Sequence, residues 1–164
     1  ALAALALYNF YLITNESYYK SVAELKIKQL LSWQDSEGWF YEYEGCDPGY
    51  LTATISFLSK YFKKSSDQNV VEPLKKAIQF ASNFIHPDGS YGGEYGSRNT
   101  YHFYPHGFEI MASYSPLGKR INDLYLRGIF NGKRHYNDDD RLFCHIVYDY
   151  LQAWMDYNTE RSPF

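Results

Sequence analysis

Two stretches of this chain share one order of residue types, and this repetition limits the folds open to it. They are residues 34–45 (QDSEGWFYEYEG) and residues 86–96 (HPDGSYGGEYG). Each follows a segment with helical spacing and precedes another. The unit is therefore a helix, an acidic-glycine-aromatic turn, a Glu-Tyr-Gly segment and a second helix. It recurs after about fifty residues, a period typical of helical repeats.

Apolar residues recur at helical spacing in most of the remaining sequence. One run, at i, i+4, i+7 and i+11, consists of Leu51, Ile55, Leu58 and Phe62. Such a pattern predicts an amphipathic helix. No alternating run is long enough to predict a sheet, although residues 39–44 could pair locally as a short hairpin arm. The sequence predicts an all-α protein.

Capping residues predict where several helices begin. Asp47 before a proline is typical of a helix start, because proline at the first helical position needs no hydrogen-bond partner. Asn69 and Glu72 have the spacing of a capping box, which predicts a helix from about Val70 to Ile85. Acidic residues are stabilised at the N-terminal end of a helix, where the helix dipole is positive, so residues 138–140 predict the start of a last helix.

The chain length of 164 residues favours a single domain, 1–164. Within it we expect repeat units at about 15–62 and 68–115 and further helices at 118–131 and 139–157. Stacked helical hairpins form a solenoid or a closed ring, with their loops on one rim. The apolar opening, residues 1–13, is too short to span a bilayer and is predicted to be a core helix whose partner is missing. We therefore expect the chain to be a fragment of a longer one.

The charge pattern argues against two classes of partner. The 16 basic and 19 acidic residues are scattered, with a net charge of -3, so no basic patch for nucleic acid or for a membrane surface is present in the sequence. Cys46 and Cys144 form neither a disulfide framework nor a metal cluster. We predict no metal, no cofactor and no membrane insertion, and the cysteines leave the compartment open.

Aromatic residues make up 20% of the chain, and 18 of its residues are tyrosines. Tyrosine has an apolar face and a polar tip, which suits a cleft that stacks on sugars. Trp39 and Tyr91 are expected at equivalent positions of the two turns, where each is either a sugar platform or a plug between hairpins. Tyr95 is a further candidate for substrate binding. The predicted partner is a polysaccharide or oligosaccharide.

The second repeat unit contains polar residues that the first unit lacks. They are residues 97–102 (SRNTYH) and the trailing His106. Glu94 and Glu42 share one repeat position, which favours a structural role, but Glu94 is retained as a binding candidate. Function is expected in the additional residues.

The order Asp88-Gly89, Glu94, Ser97 and Tyr101-His102 resembles the corresponding turn of heparinase II/III-like polysaccharide lyases, and the hairpins resemble their α/α toroid. The resemblance implies an incomplete α/α toroid, a neighbouring domain in the same chain, and a periplasmic or extracellular location. It implies that Tyr101 acts as base and acid in β-elimination of an acidic polysaccharide. Arg98, Asn99 and His102 complete the catalytic set by neutralising the substrate carboxylate. The substrate-binding set is Trp39, Tyr91, Glu94, Tyr95 and His106.

One departure from this family keeps other functions open. An Asn-His pair is expected about fifty residues before the tyrosine, but residues 45–50 contain Asp47 instead, which would repel a carboxylate. One alternative is a toroidal glycoside hydrolase using Asp35, Asp47 or Asp88. Another is a non-catalytic domain that binds glycan or scaffolds a neighbour.

Overall fold

The computed structural model describes residues 1–42, 44–92, 95–96, 102–133 and 140–157, without the side chains of 140–143. These ranges contain seven α-helices and no extended strand, which confirms the all-α prediction. No helix in them is both long and apolar enough to cross a membrane. The helices are α1 (Leu2–Thr14), α2 (Ser17–Leu31), α3 (Pro48–Ser65), α4 (Val71–Ala81), α5 (Pro105–Ile110), α6 (Pro116–Phe130) and α7 (Asp140–Met155).

The helices pack in two layers. The front layer contains α1, α3, α5 and α7. Within this layer α1 contacts α3, α3 contacts α5, and α5 contacts α7. The back layer contains α2, α4 and α6, which cover α1, α3 and α5 in turn, and α4 also contacts α6. The backbone N–H of Tyr104 at the start of α5 donates to Thr52 near the start of α3. Lys63 near the end of α3 pairs with Asp156 just after α7. The helices α3, α5 and α7 therefore run in the same direction.

Two helix starts were predicted from capping residues, with different outcomes. Asp47 caps α3 as predicted, accepting a 2.9 Å hydrogen bond from the backbone N–H of Tyr50. The predicted cap at Asn69 is wrong. Asp67 accepts from the backbone N–H of Asn69 instead and starts a short 3-10 turn, after which α4 begins at Val71.

The two predicted turns share one hydrogen-bond pattern. In the first turn, the N–H of Asp35 donates to the carbonyl of Trp39 (2.8 Å), and the N–H of Gly38 donates to the carbonyl of Asp35 (3.0 Å). The second turn repeats both bonds, at 2.9 Å each, among His86, Gly89 and Ser90. The repeat seen in the sequence is therefore a repeat of backbone structure.

The shared pattern also sets which residues correspond. Phe40 and Tyr91 occupy the same place, since each forms an isolated antiparallel bridge to the residue before its turn. Trp39 corresponds to Ser90. The expectation that Trp39 and Tyr91 are equivalent is wrong by one residue, and the buried aromatic position belongs to Phe40 and Tyr91.

Each turn glycine packs on the back-layer helix of the next unit. Gly38 has φ +110° and Gly89 has φ +88°, a region that favours glycine. A Cβ on Gly38 would lie 2.4 Å from the carbonyl oxygen of Lys76 in α4, and one on Gly89 would lie 2.5 Å from that of Leu124 in α6. These close approaches link successive units.

The contact between the second turn and α6 gives a matched test. Ala at Gly128 would place Cβ 2.7 Å from the backbone of Gly89, whereas Ala at Gly118, in the same helix, meets nothing closer than 3.5 Å. We expect Gly128→Ala to lower the free energy of unfolding by about 1–3 kcal/mol through overpacking. Gly118→Ala should leave it unchanged or raise it by up to about 1 kcal/mol. Urea unfolding measures both, and equal effects would contradict the proposed contact.

Candidate functional site

A cleft of about 500 Å³ opens on the front layer. Small-molecule sites typically occupy roughly 300–1,000 Å³. The cleft is lined by α1, α3, the start of α5 and α7. Its polar lining consists of Asn9, Lys60, Lys63, Lys64, Tyr104, His106, His145, Tyr148, Asp149, Gln152 and Asp156.

Asp149 on α7 is the buried centre of this lining, with 1% of its surface exposed. Its Oδ1 accepts hydrogen bonds from the hydroxyl of Ser56 (2.6 Å) and from Nζ of Lys60 (2.5 Å). Its Oδ2 accepts from the backbone N–H of His106 (2.9 Å). The carboxylate therefore joins α7 to α3 and to the first turn of α5.

Lys60 is also almost fully buried, at 6% exposure. Besides Asp149, its Nζ lies 5.5 Å from the ring centroid of Phe57 and 5.5 Å from that of Tyr148. An ammonium over aromatic faces is stabilised by the ring quadrupoles. The pair Lys60–Asp149 has its charge satisfied inside the protein and forms the floor of the cleft.

A second carboxylate, Asp156, also lines the cleft. Both of its oxygens lie 2.6 Å from Nζ of Lys63, and Oδ2 lies 2.6 Å from Nε2 of His106. Burial opposes ionisation of Asp156, but the hydrogen bonds from Lys63 and His106 outweigh it and hold the pKa below its ordinary value. Asp156 is therefore a carboxylate at neutral pH.

His106 is neutral in this arrangement. Burial lowers its pKa, nearby Lys60 lowers it further, and the hydrogen bond to Asp156 only partly compensates. Since Asp156 is an acceptor, the imidazole carries its proton on Nε2 and donates it. Nδ1 is left as a buried acceptor with no partner among the described residues.

The two predicted histidines of the second unit lie in different places. His106 lines the cleft. His102 is buried near the start of α3, where its ring meets Tyr50 edge-on at 6.0 Å and its Cβ faces Gly49. His102 does not line the cleft, and its contacts are those of packing between the start of α3 and the segment before α5.

The predicted aromatic platforms also separate. Tyr91 is 0% exposed and its hydroxyl donates to the carbonyl of Pro48 (3.1 Å), so it has the contacts of a plug between hairpins and no surface for a sugar. Trp39 is half-buried on its turn and donates Nε1 to Glu37 (3.1 Å). Tyr95 is exposed and packs edge-on to Phe84. None of these three lines the cleft.

The remaining predicted site residues lie outside the part of the chain that the structure describes. They are Glu94, Arg98, Asn99 and Tyr101. Their assignment as binding and catalytic groups stays a prediction from the sequence.

The carboxylates proposed for a hydrolase are engaged by local structure. Asp35 accepts from the backbone N–H of Glu37, and Asp47 caps α3. Asp88 accepts from the N–H and the hydroxyl of Ser90, which keep its pKa below the ordinary value. A general acid needs a raised pKa, so Asp88 has the opposite property.

Two polar stripes, of which all residues but Ser56 line the cleft, were not identified from the sequence. One, at i, i+4 and i+7 on α3, consists of Ser56, Lys60 and Lys63. The other, at i, i+4, i+7 and i+11 from α7 onwards, consists of His145, Asp149, Gln152 and Asp156. The sequence feature that could have identified each stripe is a row of polar residues at helical spacing on an otherwise apolar helix. Nothing in the sequence indicated that the stripe on α3 faces the stripe on α7.

The described residues give little support to a metal site or to a reactive cysteine. No group of three or more His, Cys, Asp or Glu side chains there could hold a metal ion. Burial, with smaller contributions from nearby carboxylates, raises the pKa of the Cys46 thiol to about 11, which makes it a poor nucleophile at neutral pH.

No known protein-family model matches the chain, and no curated protein or solved structure is significantly similar to it.

The buried carboxylate predicts a large effect on stability. Asp149→Asn leaves Lys60 without its counter-charge in the interior, and we expect unfolding free energy to fall by about 3–5 kcal/mol. Glu72→Gln, which removes the exposed pair with Lys75, should cost less than about 1 kcal/mol. Urea unfolding compares the two variants. The double variant Lys60→Met with Asp149→Asn should recover part of the loss, because it removes the unpaired buried charge while the amide oxygen can still accept a hydrogen bond.

The histidine in the cleft predicts a pH dependence. The unfolded chain protonates His106 near the ordinary histidine pKa of 6.5, whereas the folded chain protonates it only at lower pH. Its contribution to stability is therefore complete above 6.5 and is lost as the pH falls from 6.5 through the folded pKa. Unfolding free energy measured from about pH 7 to about pH 5 should decline less in His106→Gln than in the wild type. Identical slopes would contradict the lowered pKa.

Proposed function

We propose that this chain is a carbohydrate-active protein of the α/α-toroid type that acts on acidic polysaccharide. The observation that carries the proposal is the lysine-bearing cleft on the front layer, which is large enough for a saccharide and has Tyr104 and Tyr148 in its lining.

The arrangement of the layers supports the toroid part. In the front layer α3, α5 and α7 run in the same direction, and α1, α3 and α5 are each covered by a back-layer helix. Stacked helical hairpins form such layers in a solenoid or ring. The turn glycines repeat the same contact from unit to unit, Gly38 on α4 and Gly89 on α6. A ring built from further copies of this unit would bring its front layer around a common cleft.

The charges in the cleft support an acidic ligand. Lys60 and Lys63 are paired with Asp149 and Asp156. Lys64 also lines the cleft and makes no ion pair with any other described residue. One cation is therefore available to an acid group of the ligand, and lysine is well suited to that role because its ammonium carries three donors.

The chemistry we propose is β-elimination by the residues next to α5. Tyr101 as phenolate takes the proton beside a uronate carboxylate, the glycosidic C–O bond breaks, and the tyrosine proton passes to the leaving oxygen. Arg98 and Asn99 neutralise the carboxylate, which makes that proton more acidic. His102 follows Tyr101 in the sequence, and its side chain packs against Gly49 at the start of α3.

Substitution of Tyr101 tests the elimination. Tyr101→Phe removes the hydroxyl that carries the proton, and we expect at least about a hundredfold loss in the release of unsaturated uronates, followed by their ultraviolet absorbance. The substrates are uronate-containing polysaccharides with and without sulfate. Asp47→Asn is the matched control, because asparagine caps a helix as well as aspartate does and activity should persist or rise.

Each other outcome has a defined meaning. Activity unchanged in Tyr101→Phe would overturn the elimination. Hydrolysis without ultraviolet absorbance, lost in Asp47→Asn, would favour the hydrolase. Binding of acidic polysaccharide without turnover, weakened by Lys64→Gln, would favour a non-catalytic glycan-binding domain.

A further inference from the structure

Three polar side-chain atoms without a partner among the described residues belong to residues that line the same cleft. They are Oδ1 of Asn9 on α1, Nδ1 of His106 on α5 and Oε1 of Gln152 on α7. Buried polar atoms are normally hydrogen-bonded, so each such atom calls for an explanation. Three helices bring unsatisfied hydrogen-bonding capacity to one place.

The free ends of these side chains are acceptors. Nε2 of Gln152 donates to the hydroxyl of Tyr148 (2.8 Å), which leaves the amide oxygen unpaired. Nε2 of His106 donates to Asp156, which leaves Nδ1 as a lone pair. Asn9 also lines the cleft, and its amide oxygen is buried with no partner among the described residues. A ligand that satisfies them must bring hydrogen-bond donors.

The charges decide which donors fit. Ammonium groups and hydroxyls both donate, but three lysines, Lys60, Lys63 and Lys64, face the cleft against two carboxylates that are already paired. A cationic ligand would meet an excess of positive charge. Hydroxyl groups donate without charge and can also accept from the lysines.

The apolar part of the wall fits the carbon face of a sugar ring. Leu5, Phe57, Tyr104 and Met155 contribute it. Aromatic and aliphatic side chains pack against the C–H face of a pyranose while its hydroxyls stay available for hydrogen bonds. The cleft thus offers an apolar surface and three acceptors together.

We propose that the cleft binds a pyranose unit whose hydroxyls donate to Gln152, His106 and Asn9 and whose acidic substituent, where present, faces Lys64. This rests on the proposed function in that it places the recognised sugar of the polysaccharide in this cleft. The three acceptor atoms are buried in the structure as it stands, so binding requires part of the cleft wall to move. Tyr148 is 59% exposed and its hydroxyl accepts from Gln152, so we expect it to be the side chain that moves on binding.

The test uses the whole chain and three soluble probes, glucuronate, glucose and glucosamine, with calorimetric titration. Glucuronate and glucose should bind, glucuronate more tightly, and glucosamine should bind most weakly. Gln152→Leu and Asn9→Leu should each weaken glucose binding by about tenfold, the loss of one hydrogen bond. Gln79→Leu, at an exposed glutamine of α4 outside the cleft, is the matched control and should bind as the wild type does.

A measurement on the unaltered protein guards against variants that fail to fold. Binding of glucose should shift the Nδ1 resonance of His106 in ¹⁵N NMR, since that nitrogen gains a donor. The proposal is overturned if neither glucose nor glucuronate binds, if glucosamine binds best, or if Nδ1 does not shift. Acidic polysaccharide bound equally by the wild type and both leucine variants overturns it while sparing the proposed function. Glucose bound as expected, with no acidic polysaccharide bound or cleaved, upholds it and removes the proposed function.

Discussion

The carboxylate of Asp149 sets the arrangement of the front layer. It accepts from Ser56 and Lys60 on α3 and from the first turn of α5 at His106, while belonging to α7. A buried ion pair contributes little net stability compared with apolar residues of the same volume, because removing both charges from water is costly. What it contributes is specificity: any other register of α7 on α3 would leave Lys60 or Asp149 buried and unpaired. The cleft depends on that register, because its walls come from the same helices.

Much of the fold could be predicted from the sequence because its signals are local. The helical spacing of Leu51, Ile55 and Leu58, and the cap at Asp47, depend only on neighbouring residues, and both were correct. The error at Asn69 has the same origin. Asp67 lies two residues earlier and accepts from the backbone N–H of Asn69, which a capping box would have paired with Glu72. A spacing rule does not show which of the two carboxylates binds that N–H. The correspondence of the turns was off by one residue because aromatic residues occur at adjacent positions, Trp39 and Phe40, and only the backbone bonds separate them.

The cleft could not be predicted, for a different reason. Its central contacts join residues far apart in sequence, such as Lys60 with Asp149 and Lys63 with Asp156. A lysine on a helix is usually a solvated side chain, and only packing shows that Lys60 is enclosed. His106 was identified because it lies among other polar residues. Its partners Asp149 and Asp156 follow in a distant helix with no motif to connect them.

The glycine contacts of the turns determine where the chain can change length. Gly38 and Gly89 lie directly on the backbone of the next helix, so an added residue within either turn would break the contact between units. The segment that follows is longer in the second unit, from Tyr91 to Pro105, than in the first, from Phe40 to Pro48. Insertions are thus accommodated after the turn, where the spacing of the units is already set. A repeat of this kind can diversify one loop at a time while its neighbours keep their places.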